Sequence, residues 1–165
     1  MSVTTAYARG FGSSAGSPAT SDAGGVAADL TLGFRIPSWA VALVGGYGEL
    51  DTDRGERVHT ANGGIALTYH FTPSARFDPW IRGSTGYRFA EDGSRGAHGL
   101  QLGQLQLGGD LRASQIVAVG PVVGFEVDAF PWLRVRDGSE VTQLYGCAFM
   151  GLVGRFDLGP GVPAD

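Results

Sequence analysis

Lysine is absent from this chain, and cysteine occurs once, at Cys147. A single cysteine can form neither an internal disulfide nor a thiolate zinc centre. Charge is scarce as well: 17% of the 165 residues are charged, against about 25% in ordinary soluble domains. The net charge is −4 and no basic cluster occurs, which argues against a nucleic-acid partner. Long apolar runs are missing too. Charge-free stretches such as 36–48 and 141–154 are broken by glycine and fall short of the ~18–20 apolar residues of a spanning helix. The opening Met1-Ser2-Val3-Thr4-Thr5 has neither a basic nor an apolar leader segment, so no secretory signal is expected within this chain. Helix signals are nearly absent, because no long glycine-free window holds an i, i+3, i+4, i+7 apolar pattern.

Glycine and apolar residues are what the chain has in quantity. Hydrophobic residues make up 43%, too many for a disordered chain. The 28 glycines follow no every-third-residue period, which excludes a collagen-like helix. All 12 cations are arginine, the side chain suited to packed, bidentate pairing with carboxylates. A GC-rich genome would produce the same bias.

Alternation of period two runs through the sequence. In 26–36, Val26, Ala28, Leu30, Leu32, Phe34 and Ile36 alternate with Ala27, Asp29, Thr31, Gly33 and Arg35, the pattern of a strand with one apolar face. The same parity holds in 39–50, 58–71, 77–89, 104–112 and 117–130, and less cleanly in 141–158. A first strand is placed at 3–12, where Tyr7, Arg9 and Phe11 fall together and leave its parity open. Most of these strands exceed the ~5–6 residues usual in soluble sheets and match the ~9–11 needed to cross a bilayer. The connections alternate in length. Those at 13–24, 51–57, 91–98 and 131–140 are long and polar, whereas 37–38, 72–76 and 113–115 are short. Tight turns at one end and long loops at the other predict an all-β, eight-stranded antiparallel up-and-down transmembrane β-barrel. It forms one domain over 1–158, with a short tail over 159–165.

The two strand faces give the barrel an inside and an outside. Phe34, Trp39, Tyr69, Phe71, Phe77 and Phe156 lie beside short turns, and Tyr47, Tyr87 and Phe89 beside long loops, with Phe130 and Trp132 near another. Two such levels are expected of membrane-interface aromatics. The less apolar face carries small residues, five arginines (Arg35, Arg82, Arg88, Arg112, Arg155) and five carboxylates (Asp29, Asp78, Asp110, Glu126, Asp128). These predict a lumen filled by side chains that pair mutually, because an unpaired buried charge is costly. Strand glycines, among them Gly103, Gly108, Gly109, Gly120 and Gly124, are expected to make room for long arginine side chains. The opposite assignment, a soluble eight-stranded calyx with its apolar face inward around a small apolar ligand, stays open at this point.

The stretches GGIALTYHFTPSARFDPWIRGSTGYRF (63–89) and LQLGGDLRASQIVAVGPVVGFEV (105–127) resemble strand–turn–strand units of small outer-membrane barrels of the OmpA, OmpX and OmpW type. The resemblance lies in the aromatic-ended strand at Tyr69-His70-Phe71, the short turn with Pro73 and Pro79, and the paired glycine-rich strands. It implies residence in a Gram-negative outer membrane, insertion by the outer-membrane assembly machinery, and a porin-like barrel with a lipid-facing belt. Members usually end on the aromatic residue of the last strand, whereas Phe156 is followed here by nine residues, 157–165.

Catalytic and metal motifs are weak. Outer-membrane barrel enzymes need a Ser–His–acid group on the wall, but His70 sits at a turn end and His59 and His98 border long loops, with Ser94 nearby. Three scattered histidines make no metal site, and Gly45-Gly46-Tyr47-Gly48 lacks the lysine of a phosphate loop. Cys147 reads as an inert small residue. Asp51, Asp53 and Glu56 read as a solvated loop tip, with a weak cation site as the alternative. The expected protein is a non-enzymatic outer-membrane barrel with a polar, side-chain-filled lumen and a structural or surface-interaction role through its long loops. It needs no cofactor or metal. Its partners are membrane lipids or detergent, it is a monomer, and what its loops bind is unspecified.

Overall fold

The computed structural model describes residues 2–14, 22–52, 55, 57–91, 96–134 and 140–157, with side chains described for 24–51, 55, 57–91, 97–130 and 144–157. Eight strands follow in chain order: β1 (Ser2–Ser14), β2 (Asp22–Ile36), β3 (Trp39–Thr52), β4 (Arg57–His70), β5 (Phe77–Glu91), β6 (Gly96–Arg112), β7 (Val117–Arg134) and β8 (Glu140–Phe156). Each pairs antiparallel with its neighbour in sequence, and β1 pairs with β8, so the sheet closes on itself as an up-and-down barrel. The proposed tail over 159–165, the open parity of β1, and the positions of Asp53, Glu56, Ser94 and the Trp132 side chain lie outside the described residues.

The short-turn end is built by local hydrogen bonds. Asp78 Oδ1 accepts from the Thr72 amide at 3.2 Å, and Thr72 Oγ1 donates to the Phe77 carbonyl at 2.9 Å. In the next turn, Ser114 Oγ accepts from the Ile116 and Val117 amides at 3.3 and 3.1 Å. Such Thr and Ser contacts satisfy backbone donors that the ladder leaves behind.

At the other end the strands run further than periodicity predicts: β5 reaches Glu91, β6 begins at Gly96 rather than at 104, and β7 reaches Arg134 rather than 130. The loops expected over 91–98 and 131–140 are correspondingly shorter. Two causes hide the extension. Outward positions there become polar (Glu49, Asp51, His59, Glu91), so the apolar alternation fades while the ladder continues. In β6 the alternation also slips. Ser84 pairs with Gln104 but Gly86 with Gln101, and on the far side Asp128 pairs with Gln101 but Val127 with Gly103. This bulge inserts one residue, so Leu100 and Leu102 face out at even numbers and Leu105 and Leu107 at odd ones.

The faces are inverted relative to a water-soluble barrel. Among the described residues 27 large hydrophobic side chains are exposed, Phe34 at 90%, and only seven hydrophobic residues are buried. The buried polar set includes His70, Asp78, Arg82, Asp110, Glu126, Asp128 and Arg155. A calyx that shelters an apolar ligand requires the reverse, so that alternative is excluded by the direction of the side chains.

The interior is filled by complementary halves. Small residues such as Ala27, Gly46, Gly48, Ala66 and Thr68 point inward from β2–β4, and long ones such as Trp80, Arg82, Arg88 and Phe149 reach across from β5 and β8. Trp80, Val122 and Val153, with Phe149 against them, form an apolar plug. The glycines make room for aromatics here, rather than for the arginines expected from sequence. Gly108 is the cross-strand partner of Trp80 and Gly124 that of Phe149. A Cβ at either glycine would strike the facing ring. Gly109 likewise faces Phe77, Gly120 closely approaches the Gly109 carbonyl, and Gly103 has open space beside it at the bulge.

Candidate functional site

Two charged clusters occupy the lumen, one on each side of the apolar plug. Near the short turns, Asp78 is fully buried, at 0% exposure. Its Oδ2 accepts from Arg35 Nη2 at 3.1 Å and is hydrogen-bonded to His70 Nδ1 at 2.9 Å. Asp110 accepts from Trp80 Nε1 at 3.0 Å and pairs with Arg155. Arg155 also lies 4.0 Å from Asp78 Oδ2 and 3.3 Å from Asp157 Oδ1. The network therefore joins β2, β4, β5, β6 and β8. Arg112 donates to the Pro73 carbonyl at 2.6 Å, tying β6 to the β4–β5 turn.

The second cluster lies toward the long loops. Arg88 pairs with Glu126 through Nη2 at 3.1 Å and with Asp128 through Nη1 at 2.7 Å. Gln101 and Gln104 donate to Glu126 Oε2 at 3.0 and 3.1 Å. Below it, Arg82 Nε donates to Thr68 Oγ1 at 3.0 Å, and Nη1 reaches Thr31 and Gln106 at 3.5 Å each. The Arg82 guanidinium also lies 5.1 Å from the centre of the Trp80 ring, a cation–π arrangement.

Sequence parity places all ten candidate lumen charges on one face, but the pairing departs from five-against-five. Among the described residues Arg82 meets no carboxylate within ion-pair distance. Neutral hydroxyl and amide groups and the Trp80 ring surround it instead. Asp29 also lacks an ion-pair partner; its Oδ1 stands with the Asn62 Oδ1 over Gly46. Parity could not show this, because pairing depends on which strands face each other across the barrel. Sequence reasoning also left out His70, Trp80, Gln101, Gln104 and Gln106 as network members. Trp80, Gln104 and Gln106 share the inward parity of a candidate charge in their own strand, and His70 shares that of Ala66 and Thr68 on β4, a strand without a candidate charge; Gln101 does not, because the bulge shifts the phase.

The outward aromatics stand at two levels. Phe34, Trp39, Tyr47, Phe71, Phe77, Phe89 and Phe156 are exposed, and Tyr69 and Tyr87 half-buried. Trp39 and Tyr69 rings lie 4.8 Å apart, and Tyr69 and Phe71 meet edge-on at 5.1 Å. At the long-loop level two similar pairs occur on neighbouring hairpins. Tyr47 OH and His59 Nδ1 share a 2.7 Å hydrogen bond, and Tyr87 OH and His98 Nδ1 one of 2.5 Å. Phe130, expected among these aromatics, points inward and packs edge-on against Tyr145 at 5.5 Å. Its even number matches the inward parity of Glu126 and Asp128 on β7.

His70, Asp78 and Asp110 bring possible ligand atoms within 4.8 Å of one another. Arg35 and Arg155 already supply the positive charge at that place, so the trio functions as part of an ion network. The imidazoles of the other histidines contact tyrosine hydroxyls on the outer wall.

No family model and no curated protein matches the sequence. Among solved structures, the chain is similar to Neisserial surface protein A, with 15% identity and a TM-score of 0.55 over 94% of this chain and 96% of that one. It is also similar to the outer membrane protein OprG from Pseudomonas aeruginosa, with 13% identity and a TM-score of 0.51 over 94% of each chain. At such identities the likeness is one of fold: this chain has the eight-stranded fold of small outer-membrane barrels.

Proposed function

We propose that this protein spans a Gram-negative outer membrane as a closed, non-enzymatic barrel and acts through its lipid-facing wall and its long-loop end. The observation that carries the reading is the inversion of faces, with leucine, valine and phenylalanine outward and paired charges inward. Water would oppose that arrangement, because each exposed large aliphatic or aromatic side chain forgoes about 1.5–3 kcal/mol of burial. A bilayer removes the penalty.

The dimensions agree. Strands of 14–15 residues, as in β2–β5, reach about 50 Å along their axes and, tilted by ~40°, about 40 Å in height. An apolar band is ~25 Å tall, so the excess projects past the aromatic level at the long-loop end, where Glu49, Asp51, Arg57 and Glu91 sit. Eight of the ten lumen charges named from sequence, all but Arg82 and Asp29, form a pairing network, and the nine outward aromatics form two interfacial girdles. The apolar plug and the Arg82 layer oppose a continuous water path, so the role is structural or surface-interacting rather than that of a wide pore. Insertion by the assembly machinery and a monomeric state complete this reading.

Purification tests it directly. The chain should require detergent or lipid to remain monodisperse, and should migrate differently on a gel before and after boiling. Monodisperse behaviour in plain buffer would refute the membrane assignment. In planar bilayers steady nanosiemens openings would refute the closed lumen.

A further inference from the structure

On the outer wall near the long loops, two aromatic clusters leave a gap between them. Tyr47 is the cross-strand partner of Ala61, and its ring stacks on His59 of β4 with centroids 6.1 Å apart. Tyr87 is the cross-strand partner of Gly63, yet its ring is drawn the other way, onto β6. There it stacks on His98 at 5.9 Å, with its hydroxyl 2.5 Å from the imidazole, and Phe89 meets it edge-on at 5.0 Å. The strip of β4 between the clusters carries Ala61 and Gly63, both exposed. A Cβ at Gly63 would meet nothing within 4 Å, and Gly45, its partner on β3, is nearly as open. Leu43 and Ile65, the next outward pair, stand at the lower end. The result is a groove with bare backbone as its floor and aromatic rings as its walls.

The upper end of the groove is charged, and its charges are ordered. His59 and Arg57 follow Ala61 along the outward face of β4. Glu49 on β3 and Glu91 on β5 are the cross-strand partners of His59, one on each side. Glu49 Oε1 lies 3.5 Å from His59 Nδ1, and Arg57 Nε lies 3.4 Å from Asp51 Oδ1. Basic groups therefore stand on the axis of the groove, with carboxylates flanking them. A head with phosphate alone would meet Glu49, Asp51 and Glu91, whereas a zwitterionic head finds a counter-group for each of its charges. From Gly63 to His59 the strand climbs about 13 Å, or about 10 Å in height at a tilt of ~40°. That rise matches the reach from the first acyl carbons of a phospholipid to the end of its head.

We infer that this groove holds one phospholipid whose head carries a primary ammonium, of the phosphatidylethanolamine class; the inference rests on the membrane-spanning reading. An acyl chain lies on Gly63 and Gly45 between the rings. The phosphate faces Arg57 and His59, and the ammonium donates to Glu49 and Glu91. Every part of the wall meets lipid, so preference for one lipid comes from close packing and hydrogen bonds rather than from hydrophobicity. The Tyr47–His59 and Tyr87–His98 hydrogen bonds hold the walls in place beforehand, which lowers the ordering cost of binding.

Native mass spectrometry of the detergent-purified full chain tests the groove, with phosphatidylethanolamine, phosphatidylcholine and phosphatidylglycerol of identical acyl chains added in turn. The wild type should retain one phosphatidylethanolamine per chain, at least ~5-fold more than either other lipid. A choline head has no N–H to donate to the carboxylates, and a glycerol head has no cation. Gly63→Leu fills the floor and should lower retention at least ~5-fold, and Glu91→Gln should lower it about 3-fold. Gly83→Leu, at an outward glycine between Leu67 and Leu105 and below the groove, should leave it unchanged. Equal retention of the three lipids overturns the inference, as do equal effects of Gly63→Leu and Gly83→Leu. Heat-modifiable gel mobility reports whether each variant folds. A wild type that needs detergent and shifts on boiling, yet retains no lipid, refutes the groove and leaves the membrane assignment standing. Should Gly63→Leu not fold, Ala61→Leu carries the test: lowered retention supports the groove, and unchanged retention overturns it.

Discussion

Replacing Leu107 by arginine separates a lipid-facing wall from a water-facing one. Leu107 is 50% exposed on β6. Its cross-strand neighbours are Ile81 on β5 and Val123 on β7, and Val123 is followed by Met150 on β8. The whole outward row is apolar, so no carboxylate stands within cross-strand reach of a new guanidinium. In a bilayer the substitution places an unpaired cation near the midplane, at a cost of about 2–4 kcal/mol, falling to about 0–1 near the interfaces. In water the same exposed change stays within about ±0.5 kcal/mol. Depth supplies the internal control. Leu100 faces the same way on β6 at 44% exposure, opposite Tyr87 in the aromatic level near the long loops. Leu100→Arg should therefore cost about 1 kcal/mol or less. The assay is denaturant unfolding of both variants folded into phosphatidylcholine vesicles, followed by loss of the heat-modifiable band. A Leu107→Arg penalty below about 1 kcal/mol, or equal penalties at both depths, would refute the inside-out assignment.

The lumen makes its own predictions in the same assay. Arg88→Leu strands Glu126 and Asp128 without a cation and should cost about 3–5 kcal/mol, and adding Glu126→Gln should return part of that loss. Arg82→Met removes a guanidinium held by neutral groups only, so it should cost less, about 1–3 kcal/mol; a larger loss than for Arg88→Leu would contradict the pairing scheme. Gly108→Ala drives a methyl group into the Trp80 ring and should cost about 1–3 kcal/mol. Gly83→Ala, whose added methyl meets open space, should be neutral or mildly stabilising. Equal effects at the two glycines would show that the Trp80 contact does not constrain β6.

Strand parity is a one-dimensional property, which is why so much of the barrel could be read before any coordinates. Each side chain alternates faces by backbone geometry alone. The sequence of β2 therefore determined that Leu30 and Phe34 share one side and Asp29 and Arg35 the other. The alternation of short and long connections determined the two ends in the same way. Even Phe130 was legible, since its number has the parity of Glu126. Reading it as an interfacial aromatic took its distance from the loop over its phase.

What the tertiary structure alone decided is everything that depends on closure. Arg155 meets Asp110 and Asp78 because β8 curves back to face β5 and β6 across the lumen, a separation no local pattern encodes. Closure also left Arg82 among hydroxyls and amides, and Asp29 with Asn62, although a count of five arginines and five carboxylates suggests full pairing. The β6 bulge escaped detection because one inserted residue reverses the parity it would be read from. The glycines opposite Trp80 and Phe149 acquired their reason only through register, which sets a ring against a bare backbone. Composition and alternation determined which face is polar; the curvature of a closed sheet decided which polar groups meet.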